Sequence, residues 1–356
     1  MASVSAPIEL RSDNAAGVAP EILAALATAN AGSALAYGAD PVTAELERVV
    51  REVFEHPGAR VLPVTSGTAA NALALSALTP PWGAVLCHDT AHILNSEGGA
   101  TSLLGAGAQM RGVPGADSLI DPEPLQAALD AAWWGDPHHS QPSVLSFTQP
   151  SDRGTVYSVA RLGELVAIAK PFGLRVHLDG ARLANALVAT GASPADMTWR
   201  AGVDVVSLGA TKNGALSSEA IVAFDANAAD ELVYRTKRSG HVTSKMRFQS
   251  AQLIAYLTDG LWLRLASNSN ARMAELAAGL AALAERGVRP LNRPDVNMLF
   301  VELPAAAVDA LEAAGVLFYR MGAGGSGAAV VRFVTSWQTT ADEVAAVLER
   351  VAAAVA

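Results

Sequence analysis

The stretches LRVHLDGAR (174–182) and VDVVSLGATKNG (203–214) decide the fold of this chain. In each, a short apolar run typical of a buried strand ends on polar side chains, which are Asp179 and Arg182 in the first and Lys212 in the second. Such runs are typical of parallel sheets covered by helices on both faces. Ligands of open α/β sheets bind outside the carboxyl ends of the strands. We therefore expect Asp179, Arg182 and Lys212 to meet at one edge of a buried sheet.

Up to residue 225, segments with the pattern of a strand alternate with segments with the pattern of a helix. Strand patterns occur at 60–64, 84–87, 143–148, 174–178, 203–208 and 220–224. Helix patterns occur at 20–30, 43–54 (with Thr43 as a candidate N-cap), 68–78, 122–134 and 158–170. Strands separated by helices predict an α/β domain with a mostly parallel sheet.

The pattern changes after residue 225. Residues 226–286 are nearly all helical in pattern, with a break near 258–260, and RGVRPLNRP (286–294) is the best linker candidate. Strands at 298–301 and 330–334 and helices at 305–314 and 340–355 then predict a small α+β domain. We expect an N-terminal arm over 1–19, a large domain over 20–265 and a small C-terminal domain over 266–356.

Composition excludes several classes of protein. The 356 residues are 51% hydrophobic and 17% charged, which excludes intrinsic disorder, and a net charge of −9 argues against nucleic acid as a partner. Cys87 is the single cysteine, so an intramolecular disulfide and a cysteine-based zinc site are excluded. The sequence has no apolar run long enough for a transmembrane helix and no signal-peptide pattern at its start, so we expect a cytoplasmic protein without membrane partners.

Lysine and aspartate at neighbouring strand ends are the pair that pyridoxal phosphate (PLP) requires. Lys212 would form the Schiff base, and Asp179 would keep the pyridine nitrogen protonated so that the ring can accept electrons. Each residue taken alone has an ordinary alternative. Asp179 could cap the next helix while Arg182 forms a solvent ion pair, and Lys212 could be a solvated surface group.

Three further features predict groups that bind anions or move protons. Ser66, Gly67 and Thr68 stand between a strand and an apolar helix, where free N–H groups and hydroxyls make a phosphate site, or an ordinary helix cap. His92 follows a strand and could stack on a cofactor, transfer protons or simply be a bonded loop histidine, with His88 as a competitor. Arg332 lies in an apolar strand and needs an anionic partner, either a substrate carboxylate or a structural acid.

We do not expect a metal site. His177, inside a buried strand, is expected to be a satisfied core residue or to flank the cofactor, because a lone histidine does not make a zinc site. No cluster of metal-ligand residues is evident in the sequence.

Seven segments stand in a characteristic order along the chain: RSDN (11–14), YGADP (37–41), SGT (66–68), AH (91–92), HLDGAR (177–182), TK (211–212) and VRFVT (331–335). Their order and spacing resemble the L-threonine aldolases, which are PLP-dependent enzymes of fold type I. The resemblance extends over nearly the whole chain, and GATKNG around Lys212 is similar to the branch of low-specificity threonine and phenylserine aldolases.

The resemblance implies a role for each matching residue. Lys212 would be the Schiff-base lysine, Asp179 the partner of the pyridine nitrogen, and His92 the residue stacked on the ring. The other implied roles are phosphate binding by Ser66, Gly67 and Thr68, a contribution of Arg182 to the cofactor site, substrate carboxylate binding by Ser12, Arg182 and Arg332, and a place for Tyr37 near the site of a neighbouring subunit. Interface sites of this kind imply a homodimer or homotetramer.

The implied reaction is reversible retro-aldol cleavage of L-threonine, L-allo-threonine or phenylserine to glycine and an aldehyde. The alternatives are another PLP reaction (β-elimination, serine hydroxymethyl transfer or transamination) or a non-catalytic PLP-binding protein. Many family members carry a second histidine after the strand at 143–148, but QPSDRG (149–154) has none. The group that takes the β-hydroxyl proton is therefore open between His92, a bound water and a partner-chain residue such as His241.

Overall fold

The computed structural model describes residues 7–325 and 327–356. Residues 1–6 of the expected N-terminal arm lie outside the described residues. The strands are β1 Ile8–Glu9, β2 Arg60–Val64, β3 Gly83–His88, β4 Gln109–Val113, β5 Gln141–Thr148, β6 Arg175–Gly180, β7 Val205–Leu208, β8 Glu219–Ala223, β9 Arg289–Pro290, β10 Met298–Pro304, β11 Val316–Leu317, β12 Tyr319–Ala323 and β13 Ala328–Val334.

Helices occupy most of the remaining chain. The α-helices are α1 Pro20–Ala29, α2 Pro41–Val53, α3 Gly67–Leu78, α4 His92–Asn95, α5 Ala100–Leu104, α6 Pro122–Asp130, α7 Val159–Ala169, α8 Leu183–Thr190, α9 Pro194–Met197, α10 Ala226–Arg238, α11 Arg247–Leu257, α12 Leu261–Ala281, α13 Ala305–Ala313 and α14 Ala341–Ala354. Short 3₁₀ turns lie at Asp13–Ala15, Ala116–Ser118, Lys170–Phe172, Trp199–Ala201, Thr211–Asn213, Thr258–Gly260 and Ala284–Arg286. None of the helices in the described part of the chain is long and apolar enough to cross a membrane.

A seven-stranded sheet in the order β2-β8-β7-β6-β5-β3-β4 forms the centre of the larger part of the molecule. Strands β4, β3, β5, β6 and β7 run parallel, whereas β8 is antiparallel to both of its neighbours. Strands β3, β7 and β8 are buried along their whole length and consist mainly of apolar residues. The expected α/β fold with a mostly parallel sheet is confirmed.

The C-terminal part has its own antiparallel sheet, in the order β12-β13-β10-β9. Leu299 and Phe333 of this sheet share a core with residues of α12, α13 and α14. The expected small α+β region is confirmed by this arrangement. Helix α12 spans the expected boundary at 265/266 and packs against both α8 and α14, so the domain limits stay a prediction.

Some local predictions were wrong, each for a physical reason. Helix α2 begins at Pro41, and its N-cap is Asp40, whose Oδ1 accepts a hydrogen bond from the Thr43 N–H at 2.8 Å. The 226–286 region has a second break, between α10 and α11, in addition to the 3₁₀ turn at Thr258–Gly260. The expected linker contains β9, which pairs with β10 as an edge strand.

Candidate functional site

A cavity of about 300 Å³ opens at the carboxyl ends of the parallel strands, beside the N-terminus of α3. Among the predicted site residues, it is lined by Ser66, Gly67, Thr68, His92, Asp179, Arg182 and Lys212. The structure therefore brings together residues from four separate segments of the sequence. Ser12, Tyr37 and Arg332 are not among its lining residues.

Asp179 is the penultimate residue of β6, in the middle of the sheet, and is buried. Its Oδ1 accepts a hydrogen bond from the Ala181 N–H at 3.0 Å, and its Oδ2 accepts one from Asn71 Nδ2 at 3.1 Å. These two donors fix the carboxylate at the cavity wall. The alternative role as a simple helix cap is not borne out, because Arg182 is the N-cap residue of α8.

A chain of hydrogen bonds links Asp179 to His92. Asn71 Nδ2 also donates to Glu97 Oε1 at 2.9 Å, and the same Glu97 oxygen lies 3.0 Å from His92 Nδ1. The hydrogen bond to Glu97 raises the pKa of His92, against the opposing effect of partial burial. Sequence reasoning missed Asn71 and Glu97, and the one available signal was an asparagine within the otherwise apolar run of α3.

Lys212 lies in the 3₁₀ turn that follows β7 and lines the cavity. Burial and the neighbouring Arg182 lower the pKa of Lys212, while the carboxylates of Asp13, Asp179 and Glu219 oppose the shift. A lowered pKa increases the fraction of neutral amine, which is the form that attacks a carbonyl. Lys212 is therefore a half-buried amine suited to covalent chemistry, and the alternative of a solvated surface group is not borne out.

The first turn of α3 carries the predicted anion site. The Ser66 side chain caps the helix by accepting a hydrogen bond from the Ala69 N–H at 3.2 Å. The N–H groups of Gly67 and Thr68, at the first two positions of the helix, have no intrahelical acceptor. The helix-cap alternative is confirmed, and the phosphate site stays a prediction, since a capped helix start still presents N–H groups and a dipole that favour an anion.

Arg182 is held by a residue that the sequence did not single out as a partner. Asp13 accepts hydrogen bonds from Arg182 Nε at 2.6 Å and from Nη2 at 2.9 Å, and both side chains are largely buried. Within the described residues Nη1 makes no hydrogen bond, so it remains available to a ligand. Ser12 caps the short turn that contains Asp13, since its Oγ accepts from the Asn14 N–H at 3.2 Å.

Arg332 has no carboxylate partner within ion-pair distance among the described residues. Its Nη2 donates to the Arg11 carbonyl oxygen at 3.1 Å, and its Nε is buried without a hydrogen-bond partner in the described structure. Burial and the nearby Arg182 lower the pKa of Arg332. The structural-acid alternative is therefore not borne out, and the guanidinium is left to bind an anion from outside the described chain.

Tyr37 lies at the surface, where the residue is 59% exposed and the Lys237 Nζ lies 4.8 Å from the centre of its ring. Its expected place near a neighbouring subunit stays a prediction. His241, the candidate partner-chain base, is in the loop between α10 and α11 and does not line this cavity.

Two other histidines have structural partners. His88 Nδ1 lies 2.8 Å from Thr90 Oγ1, and its Nε2 lies 3.1 Å from the Gly115 carbonyl oxygen. His177 is bonded on both ring nitrogens, to Ser146 and Ser207, and burial lowers its pKa to about 4. His177 is thus the satisfied core residue that was expected. No group of three metal-ligating side chains was found within residues 7–325 and 327–356.

Comparisons with known proteins show the family and the fold of the chain. Residues 9–306 match the model of the β-eliminating lyase family. The chain is 38% identical to the low specificity L-threonine aldolase of Pseudomonas aeruginosa over 338 residues, which is 94% of each chain. It superposes on the threonine aldolase of Leishmania major with a TM-score of 0.92 and 28% identity, over 98% of this chain and 100% of the other.

A more distant structure shares the fold alone. The serine palmitoyltransferase of S. paucimobilis, solved with a bound PLP–myriocin aldimine, matches 98% of this chain and 87% of its own with a TM-score of 0.69 and 18% identity. The fold is therefore the α/β fold of the type I PLP enzymes. The chain belongs to the β-eliminating lyase family and, within it, to the low-specificity L-threonine aldolases.

Proposed function

We propose that this chain is a PLP-dependent aldolase that reversibly cleaves β-hydroxy-α-amino acids to glycine and an aldehyde. Its substrates would be L-threonine, L-allo-threonine and phenylserine. The observation that carries the proposal is the meeting of Lys212, Asp179 and Arg182 in one cavity. We further infer that the enzyme works as a cytoplasmic homodimer or homotetramer, with Tyr37 near the site of a neighbouring subunit.

The donor set of the cavity fits PLP. The N-terminus of α3 provides N–H groups for the phosphate, with Ser66 and Thr68 beside it. Asp179 provides a fixed carboxylate for the pyridine nitrogen, and Lys212 provides the amine for the aldehyde carbon. His92, whose imidazole side chain is 43% exposed and lines the same cavity, provides a ring to lie against the cofactor.

The substrate carboxylate is assigned to the arginines. Arg182 retains Nη1 while Asp13 holds its other nitrogens, and Arg332 carries the buried Nε without a partner in the described chain. Fixing the carboxylate at these cations orients the Cα–Cβ bond relative to the cofactor ring, which is a positioning effect. When bound, PLP supplies the electron sink that takes up the pair released as this bond breaks.

Lys212→Ala is the variant that tests the proposal. We expect no aldehyde release from any β-hydroxy amino acid and loss of the visible absorbance of the lysine-bound cofactor, because no other lysine lines the cavity in the described chain. Lys170→Ala is the control, because Lys170 is an exposed lysine that directly follows α7 and does not line the cavity. It should leave aldehyde release and cofactor absorbance unchanged. Wild-type turnover by Lys212→Ala would contradict the assignment.

The family description favours one alternative reaction, β-elimination. The two reactions give different products from the same cavity. Pyruvate and ammonia from serine would indicate elimination, whereas glycine and an aldehyde from threonine indicate aldol cleavage. The ratio of these two rates in the wild-type protein decides between them.

A further inference from the structure

We propose that Asp152 is the base that accepts the β-hydroxyl proton of the substrate. This inference rests on the aldol cleavage proposed above. The loop after β5 has no histidine, but it carries Asp152 to the wall of the same cavity that Lys212, Asp179 and Arg182 line. The structure thus places a carboxylate in the loop where the sequence left the base unassigned.

The loop holds Asp152 in a defined position. Ser151 N–H donates to the Thr155 carbonyl oxygen at 2.8 Å, and Gly154 N–H donates to the Ser151 carbonyl oxygen at 2.9 Å. The Gln149 side chain, fully buried, bonds the backbone of Tyr157 with both its amide nitrogen and its oxygen. Asp152 therefore projects from a tight turn tied at both ends, and a base must be held in this way to meet a substrate proton.

One oxygen of the Asp152 carboxylate is engaged and the other is available. Oδ2 accepts a hydrogen bond from the His92 backbone N–H at 3.1 Å. Oδ1 makes no hydrogen bond to the described residues, although the side chain lines the cavity. Oδ1 is therefore the atom that can receive a proton from a bound hydroxyl.

The surroundings also strengthen Asp152 as a base. Burial and the negative charge of Asp179 raise its pKa, while His92 and Arg182 act in the opposite direction. Arg182 lines the same cavity as Asp152, and the negative charge of Asp152 acts to raise the pKa of both Arg182 and Arg332. A carboxylate with a raised pKa accepts a proton more readily than an ordinary one.

His92 is the weaker candidate for this role. Its Nδ1 is bonded to Glu97, whose side chain is only 1% exposed, and its ring is the one proposed above to lie against the cofactor. We therefore assign proton acceptance to Asp152 and leave His92 to face the cofactor ring.

The step balances as follows. The β-hydroxyl proton moves to Asp152 Oδ1, and the electron pair of the O–H bond forms the C=O bond of the aldehyde. The Cα–Cβ bond breaks, and its electron pair stays on the Cα side. Cα later gains one proton, and Asp152 releases the proton that it took from the hydroxyl group. The number of protons is therefore unchanged, and the substrate gives glycine and an aldehyde with no other reactant.

Asp152→Asn tests the inference, because it keeps the shape of the side chain and removes its basicity. We expect aldehyde release from L-threonine to fall by about 10²–10⁴-fold, the usual contribution of a positioned base. Exchange of the α-proton of glycine in deuterated water should persist, because glycine has no β-hydroxyl group. Cofactor absorbance should also persist.

Asp89→Asn is the matched control, since Asp89 follows β3 at the same edge of the sheet but does not line the cavity. It should leave both reactions unchanged. Unchanged aldehyde release by Asp152→Asn would overturn the inference, and so would an equal loss of aldehyde release and glycine exchange, which would show a structural role. A wild-type protein that exchanges glycine but releases no aldehyde would instead refute the proposed function.

Discussion

Asp13→Ala removes the only carboxylate that the structure pairs with Arg182 within the described chain. Asp13 is 2% exposed and the Arg182 side chain 16% exposed, so this ion pair is held almost entirely away from water. Asp13 Oδ2 also accepts a hydrogen bond from Asn297 Nδ2 at 3.0 Å. The substitution therefore breaks three hydrogen bonds and leaves a guanidinium buried without its counter-charge.

The magnitude follows from that geometry. Breaking a buried pair by removing one partner costs about 3–5 kcal/mol, chiefly because the remaining charge is uncompensated. We expect Asp13→Ala to lower the free energy of unfolding by about this amount, a large share of the roughly 5–15 kcal/mol that stabilises a typical protein. It should also weaken substrate binding, because Arg182 loses the contacts that orient it.

The pH dependence has a defined sign. Burial alone would raise the pKa of Asp13, but the charge and hydrogen bonds of Arg182 outweigh burial and lower the pKa overall. The pair therefore stabilises the protein fully above the unfolded pKa of about 3.9, and this stability is lost as the pH falls through the lower, folded pKa. The Asp13→Ala variant should therefore lack the part of the acid-induced fall in stability that comes from protonation of Asp13.

Urea unfolding followed by circular dichroism, at neutral and acid pH, measures both effects. In a double-mutant cycle with Arg182→Leu, the double variant should lose less stability than the sum of the single variants, since it leaves no unpaired charge. Glu21→Ala, which breaks the exposed pair with Arg264, is the control and should change little. Additive losses in the cycle would refute the reasoning.

Two further predictions concern the hydrogen-bond chain at the cavity. Asp179→Asn should keep part of the cofactor but lose most of the aldol turnover, because an amide does not hold the pyridine nitrogen protonated; unchanged kcat would contradict the electron-sink role. Glu97→Gln should lower the pKa of His92 toward its ordinary value, because the hydrogen bond to the Glu97 carboxylate is the largest cause of the rise. An NMR titration of the His92 ring, with its signal assigned by loss in His92→Asn, measures this pKa, and an unchanged value would show that Glu97 does not set it.

The parts of the fold that depend on local pattern could be predicted from the sequence. Strand β2 matches its prediction at both ends, and the strands ending at Asp179 and near Lys212 were found because buried parallel strands are unbroken apolar runs. Strand β4 was missed, since QMRGV has polar residues and a glycine where a central strand has apolar ones. The predicted start of helix α2 was two residues late, because Asp40 followed by Pro41 was not recognised as an N-cap with proline at the first helical position.

The site was predictable where a residue follows a recognisable element, and not where its role depends on a distant partner. Asp179 lies at the end of a strand, Lys212 follows a strand, and Gly67 opens a helix, so their positions had local signals. The pairing of Asp13 with Arg182 joins residues 169 positions apart, and nothing in either segment indicates the other. Asp152 was equally hidden, because only the folded loop shows that it lines the cavity.

The most direct test of the central claim is the product analysis of the purified, PLP-loaded protein with L-threonine, L-allo-threonine and L-threo-phenylserine. Aldehyde and glycine should appear in equal amounts from at least one of these substrates, and the Lys212→Ala variant should produce neither. Cofactor absorbance without aldehyde from any of the three would contradict aldol cleavage and leave only the fold and the family assignment standing.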